Sequence, residues 1–249
     1  MNPISTIGVA FGSPLYQVVK RRITESLRNE EWKPGEMIPP EKTLAERFGV
    51  SVGTLRKAVD ELVAKNMLVR LQGRGTFVSA HNEDRYLYSF FHVTRHDGHK
   101  DYPQTELLEF ARIKADGDVA AKLGGPPGMR VYRFVNKLAL GGGPVIVDEI
   151  YLPEALFLGL TERRLRDRET TLYQFYQDQF AVTVVRTEDH LRAVKAGPLQ
   201  ARVLKVEEGD PMLKLIRVAR SFRDLPVELR YSCIDTKHYE YFAENVGQT

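Results

Sequence analysis

Residues 41–78 constrain the fold of this chain more than any other stretch. Apolar Leu44 and Phe48 predict a short amphipathic helix, which ends at Gly49 because glycine readily takes a positive φ. Ser51 is a suitable N-cap for a second helix, in which apolar residues recur every three or four positions. These apolar residues are Leu55, Ala58, Val59 and Leu62. The pattern therefore predicts a helix, a tight turn and a second helix.

The same stretch continues into a predicted β-hairpin. Residues 67–71 and 76–78 are the predicted strands, and Gly73 and Gly75 flank Arg74 at the tip. A helix of this kind fits the major groove of duplex DNA, while the guanidinium at the tip can pair with a phosphate or enter the minor groove. The order of elements favours a winged helix-turn-helix that binds double-stranded DNA. The alternative is a small helical bundle whose basic side chains are merely solvated.

Charge is distributed unevenly along the chain. Residues 1–80 hold 12 Lys and Arg against 8 Asp and Glu, a net charge of +4, whereas the remainder holds 24 against 25, a net charge of −1. A weakly basic domain is attracted to DNA phosphates, and this attraction falls as the salt concentration rises. The charge therefore supports DNA binding by the first part of the chain alone.

Residues 14–78 resemble the winged-helix domain of the GntR family of bacterial transcription regulators. The resemblance rests on Pro14-Leu15-Tyr16, Leu44-Ala45-Glu46, Val50-Ser51, Thr54-Leu55-Arg56 and Gly73-Arg74-Gly75-Thr76-Phe77-Val78. Carried over position by position, it implies a set of DNA-contacting residues. They are Lys42, Ser51, Val52, Gly53, Thr54, Arg56, Gln72, Gly73 and Arg74.

Two positions depart from the family pattern. Pro40 stands where a serine is usual, so we expect the helix that follows it to lack a side-chain N-cap. Val52 stands where an arginine is common. Because a bidentate contact between arginine and guanine contributes roughly 1–3 kcal/mol of discrimination, we expect a different operator, with methyl contacts to thymine.

Residues 79–85 are short and polar and predict a linker between residues 1–78 and residues 86–249. Beyond the linker the patterns predict helices at 119–123, at 171–179 with Thr170 or Thr171 as the cap, and at 199–204. They predict extended segments at 131–140, 144–152, 180–194, 212–222 and 227–235. Strands and helices that do not alternate regularly predict an α+β domain with a mixed, largely antiparallel sheet.

This second region is similar to the UTRA ligand-sensing domain of the HutC-type GntR regulators, which has a chorismate-lyase-like fold. The similarity rests on the segments VAAKLG, GGGPVIVDEIYLP and TTLYQFY, in that order. It implies a small-molecule effector, a homodimer formed largely through this domain, and repression that the effector relieves. With the winged helix, it predicts a dimer that binds a pseudo-palindromic operator.

Pattern and resemblance nominate seven effector-binding residues. Asn136, Glu149 and Arg217 are polar residues among apolar neighbours on predicted strands, and buried polar groups need partners. The alternatives are that Asn136 bonds the sheet backbone and that Glu149 and Arg217 pair with each other. The resemblance adds Ser89, Thr171, Glu228 and Tyr231.

Asn136 and Leu138 also stand where members of the family that sense sugar phosphates tend to carry arginines. Since a guanidinium fork is the usual phosphate ligand, the substitution favours a neutral or carboxylated metabolite.

Other chemistries find little support in the sequence. His92, His96 and His99 have spacing that could suit a metal, but the surrounding charges and Gly98 favour a solvated loop. The single cysteine, Cys233, lies in an apolar segment and is expected to be an inert thiol. No motif for a cofactor or a catalytic set is visible, and we expect no metal, no enzyme activity, no membrane span and a cytoplasmic location.

Three functional classes follow from these observations. The favoured class is a repressor that a small metabolite releases from its operator. The second is an architectural DNA-binding dimer without a ligand, in which the C-terminal domain would have a filled interior. The third is an enzyme with a DNA-binding regulatory domain, which would require a convergent catalytic set.

Overall fold

The computed structural model describes residues 14–29, 31–33, 35–64, 67–71, 73–79, 91–99 and 101–243. The chain divides into two compact units, Met1–Ala80 and His81–Thr249. Gln72 and Ser89 lie outside the described residues, as does the predicted linker apart from Ser79.

Three helices and a hairpin form the described part of the N-terminal unit, and they include the helix, turn, helix and hairpin predicted for residues 41–78. The elements are α1 (Leu15–Arg28), α2 (Glu41–Phe48), α3 (Val52–Ala64), β1 (Leu68–Leu71) and β2 (Gly75–Val78). The two strands pair antiparallel and form the wing. Apolar side chains from the three helices are buried together, among them Val19, Ile23, Leu44, Leu55, Val59 and Leu62.

The turn between α2 and α3 follows from its sequence. Gly49 takes the left-handed conformation, with φ of 67°, and ends α2. The Ser51 hydroxyl accepts a hydrogen bond from the Thr54 amide at 3.1 Å and so caps α3, as predicted. Pro40 precedes α2, and no side chain among the described residues caps that helix, which confirms the expectation for Pro40.

Six antiparallel strands form the sheet of the C-terminal unit, in the order β4-β5-β6-β9-β8-β7. They are β4 (Gln104–Lys114), β5 (Arg130–Leu140), β6 (Gly143–Pro153), β7 (Arg186–Lys195), β8 (Pro211–Arg220) and β9 (Pro226–Asp235). A separate ribbon pairs β3 (Val93–Arg95) with β10 (Tyr239–Tyr241). The prediction of a largely antiparallel α+β domain is therefore confirmed.

Among the described residues, four α-helices accompany the sheet, namely α4 (Gly117–Lys122), α5 (Glu162–Arg166), α6 (Leu172–Phe180) and α7 (Pro198–Leu204). Two short 3-10 turns lie at Glu154–Leu156 and Phe222–Asp224. The side chains of α6 pack in the largest apolar cluster, together with Phe134, Ile150 and Leu215 from alternating strand positions. We call this side of the sheet the α6 face. The opposite side, which packs against α4 and α7, is the α4 face.

The elements that escaped the sequence patterns include β3 and β10, which have three residues each, β4 and α5. β4 lies at one edge of the sheet and is mostly exposed, so its apolar residues do not alternate cleanly with polar ones. α5 has only five residues, four of them charged. The extended segment predicted from residue 180 begins later, because α6 continues to Phe180 and β7 starts at Arg186.

Candidate functional site

The predicted DNA contacts that the structure describes lie at the surface of the N-terminal unit. Thr54 is half-buried, and the others are exposed, namely Lys42, Ser51, Val52, Gly53, Arg56, Gly73 and Arg74. They belong to α2, the N-terminal end of α3 and the tip of the wing. We call this set the reading surface. It offers exposed amides and cations, which is the chemistry that contacts a DNA backbone.

Glu41 forms ion pairs with two arginines, Arg56 and Arg70, at the reading surface. Its carboxylate accepts a hydrogen bond from Arg56 Nε at 2.9 Å and another from Arg70 Nη2 at 2.8 Å. Asp60 also pairs with Arg70. The Arg56 side chain nevertheless remains 61% exposed. Because exposed ion pairs contribute only about 0–1 kcal/mol, Arg56 can exchange Glu41 for a base or a phosphate at small cost.

Val52 gives the reading surface an apolar contact point. The residue opens α3 and is 39% exposed, although its neighbour Leu55 is fully buried. An exposed valine in the first turn of a groove-binding helix can touch a thymine methyl group but cannot hydrogen-bond a guanine. The position of Val52 therefore supports the expectation of an operator unlike that of family members with arginine here.

A cavity of about 390 Å³ opens in the C-terminal unit. β4, β5, β6 and β9 form one wall, and the segment that leads into α6 forms another. The wall from the sheet includes Glu106, Leu107, Asn136, Leu138, Asp148 and Arg230. The other wall includes Arg166, Arg168, Glu169, Thr170, Thr171 and Leu172. This volume lies in the roughly 300–1,000 Å³ range of small-molecule sites.

A buried charge network supports the floor of the cavity on the α6 face. Arg230 Nε and Nη2 donate to the two oxygens of Glu228 at 2.9 and 3.0 Å, and Nη1 donates to Asp148 Oδ2 at 3.2 Å. The hydroxyls of Tyr173 and Tyr176 donate to Glu228 at 3.2 and 2.6 Å. The network thereby joins β6, β9 and α6.

Burial perturbs the ionisable groups of this network. Desolvation raises the pKa of Asp148, against the opposing charge of Arg230. Desolvation and the adjacent charge of Glu228 hold the pKa of the Tyr176 hydroxyl well above its ordinary value. Tyr176 therefore stays a neutral donor to Glu228.

Two buried oxygen atoms remain without a hydrogen bond from any described residue, and both belong to residues that line the cavity. They are Asn136 Oδ1 and Asp148 Oδ1, on side chains that are only 2% exposed. The two residues are direct cross-strand partners on β5 and β6. A buried acceptor without a donor costs roughly 1–3 kcal/mol, so the pair indicates a place where a ligand supplies donors.

Glu149 and Tyr231 lie on the α4 face, and the structure does not bring them to the cavity. Glu149 accepts hydrogen bonds from Arg133 at 2.6 Å and from the Tyr151 hydroxyl at 2.9 Å. The Tyr231 hydroxyl donates to Asp118 at 3.0 Å. Adjacent positions in a strand point to opposite faces, so Asp148 and Arg230 point to the α6 face instead.

Arg217 lies on the α6 face but outside the set that lines the cavity. Its Nε and Nη2 donate to the carboxylate of Asp189 at 2.8 and 2.6 Å, and the Tyr241 hydroxyl donates to the same carboxylate at 2.6 Å. Burial raises the pKa of Asp189, but the hydrogen bonds and charge of Arg217 outweigh it and hold that pKa below its usual value. The suggested ion pair between Glu149 and Arg217 is therefore wrong.

The remaining nominated residues occupy two kinds of position. Thr171 lines the cavity and caps α6 by accepting a hydrogen bond from the Gln174 amide at 3.3 Å, which confirms the predicted cap. Glu228 is fully buried behind the cavity and orients Arg230. The structure thus gathers Asn136 and Thr171 at the cavity, with Glu228 behind them.

Sequence reasoning missed six charged residues that line the cavity, namely Glu106, Asp148, Arg166, Arg168, Glu169 and Arg230. A signal for Asp148 is present, because it shares its strand face with Ile146, Ile150 and Leu152. Arg230 is two residues after Glu228 on β9, so the two side chains lie on the same face of the sheet. Arg166 and Arg168 belong to an arginine-rich segment without clear periodicity, so only the tertiary structure reveals their place.

The histidine-rich segment that the sequence singled out forms a strand and a turn. His96 Nε2 lies 3.1 Å from the Tyr239 carbonyl oxygen, and His99 Nε2 lies 3.7 Å from Asp101. Within the described ranges, no cluster of His, Cys, Asp and Glu side chains could hold a metal ion. Cys233 lies half-buried on β9, where desolvation raises its pKa. No helix in the described part of the chain is long and apolar enough to cross a membrane.

Comparison with known proteins adds two family matches. A model described as bacterial regulatory proteins, gntR family, matches residues 15–78, and a model described as UTRA domain matches residues 98–240. The mannosyl-D-glycerate transport/metabolism system repressor of Escherichia coli (strain K12) is 30% identical over 214 residues, which cover 84% of this chain and 85% of that protein. The histidine utilization repressor of Pseudomonas putida is 26% identical over 219 residues, covering 86% and 87%.

A solved structure resembles the C-terminal unit. The ligand-binding domain of a GntR-family transcriptional regulator from Bordetella bronchiseptica aligns with a TM-score of 0.61 and 30% identity. The alignment covers 63% of this chain and 98% of that domain. The cavity therefore lies in a region whose counterpart is described as ligand-binding.

Proposed function

This chain belongs to the GntR family of bacterial regulatory proteins and carries the UTRA domain of its HutC-type members, and we propose that it works as a homodimeric repressor on a pseudo-palindromic operator. It is a DNA-binding transcriptional regulator with a small-molecule effector domain, and its relatives are named as regulators rather than enzymes. The proposal adds the assembly, the form of the operator and the residues that act.

The unpaired oxygens of Asn136 and Asp148 carry the proposal of an effector site in the cavity. An architectural protein without a ligand would have a filled interior, whereas this domain holds a cavity that two buried acceptors line. Asn136 and Thr171 contact the effector in our proposal, while Glu228 acts through Arg230. The two relatives are named for mannosyl-D-glycerate metabolism and histidine utilization, which supports a small metabolite as the effector.

DNA recognition in this proposal divides between base contacts and phosphate contacts. Arg56, Val52 and Thr54 at the start of α3 meet base edges in the major groove, and Arg74 in the wing meets phosphate or the minor groove. Two copies of the reading surface, related by a two-fold axis, would read the two halves of the operator. The effector lowers the operator affinity through a coupling free energy of about 1–3 kcal/mol.

The experiment begins with selection of an operator from fragmented genomic DNA by the full-length protein. Binding to the selected duplex and to a shuffled duplex is then measured with and without metabolites, and sedimentation gives the mass of the free protein and of its complex. We expect a dimer, a palindromic consensus, and release by a metabolite that also raises the melting temperature, as a ligand at about 100 times its Kd adds roughly 2.7 kcal/mol.

A monomer on a non-repeated site would contradict the proposed assembly. Undiminished operator binding in the presence of every ligand that stabilises the protein would contradict the repressor mechanism. The variant Asp167→Asn serves as a control, because this exposed carboxylate pairs with the exposed Arg163 one turn earlier and lies outside the described cavity lining.

A further inference from the structure

The floor of the cavity holds more buried negative charge than positive charge. Asp148 and Glu228 are 2% and 0% exposed, and both carboxylates share the single guanidinium of Arg230. Glu228 receives two hydrogen bonds from Arg230 and one from each of two tyrosines, so both of its oxygens are satisfied. Asp148 receives a hydrogen bond from Arg230 at Oδ2 and interacts with the Ser232 side chain, whereas its Oδ1 meets no donor among the described residues. Asp148 is therefore the less fully satisfied of the two carboxylates, and its unmatched oxygen is Oδ1.

Arg217, the next buried cation on the α6 face, offsets this excess only in part, because its charge lowers the pKa of Asp148 but that pKa stays raised. It is the cross-strand partner of Arg230, but its guanidinium makes a bidentate pair with Asp189. The pair of Arg217 and Asp189 is neutral, so the trio of Asp148, Glu228 and Arg230 has a formal charge of −1 when both carboxylates are ionised. An uncompensated buried charge is costly, and proteins normally pair such groups.

The unmatched oxygen lies beside a second acceptor in the wall of the cavity. Asn136 Oδ1 is buried on the adjacent strand and, like Asp148 Oδ1, meets no donor from the described residues. A group that satisfies both oxygens must carry at least two N–H or O–H donors, and a positive charge would also offset the excess negative charge. A primary ammonium has three donors and one positive charge.

The opposite wall of the cavity has the complementary character. Arg166 and Arg168 line it, together with the N-terminal end of α6 at Thr171 and Leu172. The first amides of a helix and its dipole favour an anion. Across the described lining, three arginines face three acidic residues, Glu106, Asp148 and Glu169, so the formal charges balance. A cavity of balanced charge does not favour a phosphate dianion.

We propose that the effector is an amino-acid-like zwitterion, whose ammonium group donates to Asp148 Oδ1 and Asn136 Oδ1 and whose carboxylate lies by Arg166, Arg168 and the start of α6. This assignment rests on the proposed function, since it names the chemical class of the effector in the same cavity. The raised pKa of Asp148 agrees with it, because a buried carboxylate without a full set of counter-charges holds its proton more tightly.

The first test compares matched ligands on the full-length protein. The probes are the common L-amino acids, the 2-hydroxy acids with the same carbon skeletons, the corresponding decarboxylated amines, and a set of sugar phosphates. We expect an amino acid to raise the melting temperature and release the selected operator, while its hydroxy acid and its amine bind at least about tenfold more weakly. A sugar phosphate or hydroxy acid as the tightest ligand would overturn the assignment.

The variant Asp148→Asn gives the second test, with Asp167→Asn as its matched control. Asparagine keeps an oxygen for Arg230 but removes the charge, so affinity for the amino acid should fall roughly 10- to 100-fold. The same change should weaken binding of the matched hydroxy acid much less. If the affinities for both ligands fall equally, the ammonium group does not contact Asp148.

A third measurement needs no ligand. Since Asp148→Asn removes an unmatched buried charge, the variant should melt at a higher temperature than the wild type at about pH 8, where the wild-type carboxylate is most fully ionised. Asp167→Asn should leave the melting temperature close to the wild type. If Asp148→Asn melts lower, or if no probe from any class binds, the zwitterion assignment is rejected.

These outcomes separate the assignment from the proposed function. If a ligand without an ammonium group releases the operator, the zwitterion assignment is rejected and the proposed repressor function stands. If an amino acid binds through Asp148 but does not change the operator affinity, the proposed ligand class stands and the repressor mechanism is rejected.

Discussion

The reading surface and the cavity of the C-terminal unit differ in how the chain builds them. The described residues of the reading surface lie between Lys42 and Arg74, and they belong to neighbouring elements of one small unit. The cavity gathers Asn136, Asp148, Thr171 and Arg230 from three strands and the start of a helix, across much of the C-terminal unit. A surface site made from adjacent elements can be recognised from a local motif. A buried site made across a sheet depends on strand order and register.

The two sites also use charge in different ways. Around the reading surface, Glu41, Arg56 and Arg70 form ion pairs that are partly exposed, and water and salt weaken such pairs. Beneath the cavity, Arg230 is 4% exposed and sits between two carboxylates. Removing a partner from a buried pair leaves an unmatched charge with little solvation. Replacing an arginine of the N-terminal unit near the reading surface should therefore weaken DNA binding, whereas replacing Arg230 should destabilise the C-terminal unit.

The largest expected effect tests this difference at Arg230. Arg230→Met leaves both Glu228 and Asp148 without their shared cation, so the free energy of unfolding of the C-terminal unit should fall by roughly 3–5 kcal/mol. Urea denaturation, followed by the fluorescence of the tyrosine-rich C-terminal unit, measures the change. In the control Arg163→Met, the lost arginine is 90% exposed, so the change should stay within about 0.5 kcal/mol. If the free energy of unfolding falls equally in the two variants, the buried ion pairs contribute no more to stability than the exposed ones.

A smaller effect is expected at Arg56, and on DNA binding. If Arg56 contacts a base as proposed, Arg56→Ala should weaken binding to the selected operator by roughly 1–3 kcal/mol and binding to a shuffled duplex much less. Fluorescence anisotropy with the two duplexes measures both affinities. Arg163→Ala changes the net charge equally and should alter neither. If both duplexes lose the same affinity, Arg56 is a phosphate contact and does not read the sequence.

Two helix caps allow the same substitution to be made in each unit. Ser51 and Thr171 accept hydrogen bonds from the Thr54 and Gln174 amides, at 3.1 and 3.3 Å. Replacing either by alanine should lower the free energy of unfolding of its unit by about 0.5–2 kcal/mol. Ser51→Ala should also weaken operator binding, whereas Thr171→Ala should weaken effector binding. Chemical denaturation and the two binding assays separate these effects. Loss of effector binding in Ser51→Ala, or of operator binding in Thr171→Ala, would contradict the assignment of the two sites.

The smallest expected effect concerns the wing. Arg74 is exposed at the wing tip, with its guanidinium 5.9 Å from the centre of the Phe77 ring. Arg74→Ala should reduce by about one unit the slope of log affinity against log salt concentration, because one phosphate contact is lost. Affinities at several salt concentrations give this slope, and Arg163→Ala should leave it unchanged. An unaltered slope would mean that the wing does not touch phosphate.

The sequence determined most of the N-terminal unit. Its helices show a period of three to four residues, Gly49 takes the expected positive φ, and Ser51 caps α3 as predicted. These are local properties, because propensity, capping and turn chemistry depend on residues within a few positions of one another. The same local rules located β5, β6, β8 and β9, but they missed β4 at the sheet edge.

The effector cavity shows what only the tertiary structure decided. The sequence pattern nominated Asn136, and the family resemblance nominated Thr171 and Glu228; these residues lie on the α6 face or at the start of α6. Glu149 and Tyr231, nominated by the pattern and by the resemblance respectively, lie on the α4 face beside Asp148 and Arg230. Both members of each pair are polar residues in strongly apolar strands, so composition could not separate them. Register and packing set which of two adjacent side chains faces a cavity, since a shift of one residue reverses the face of every side chain.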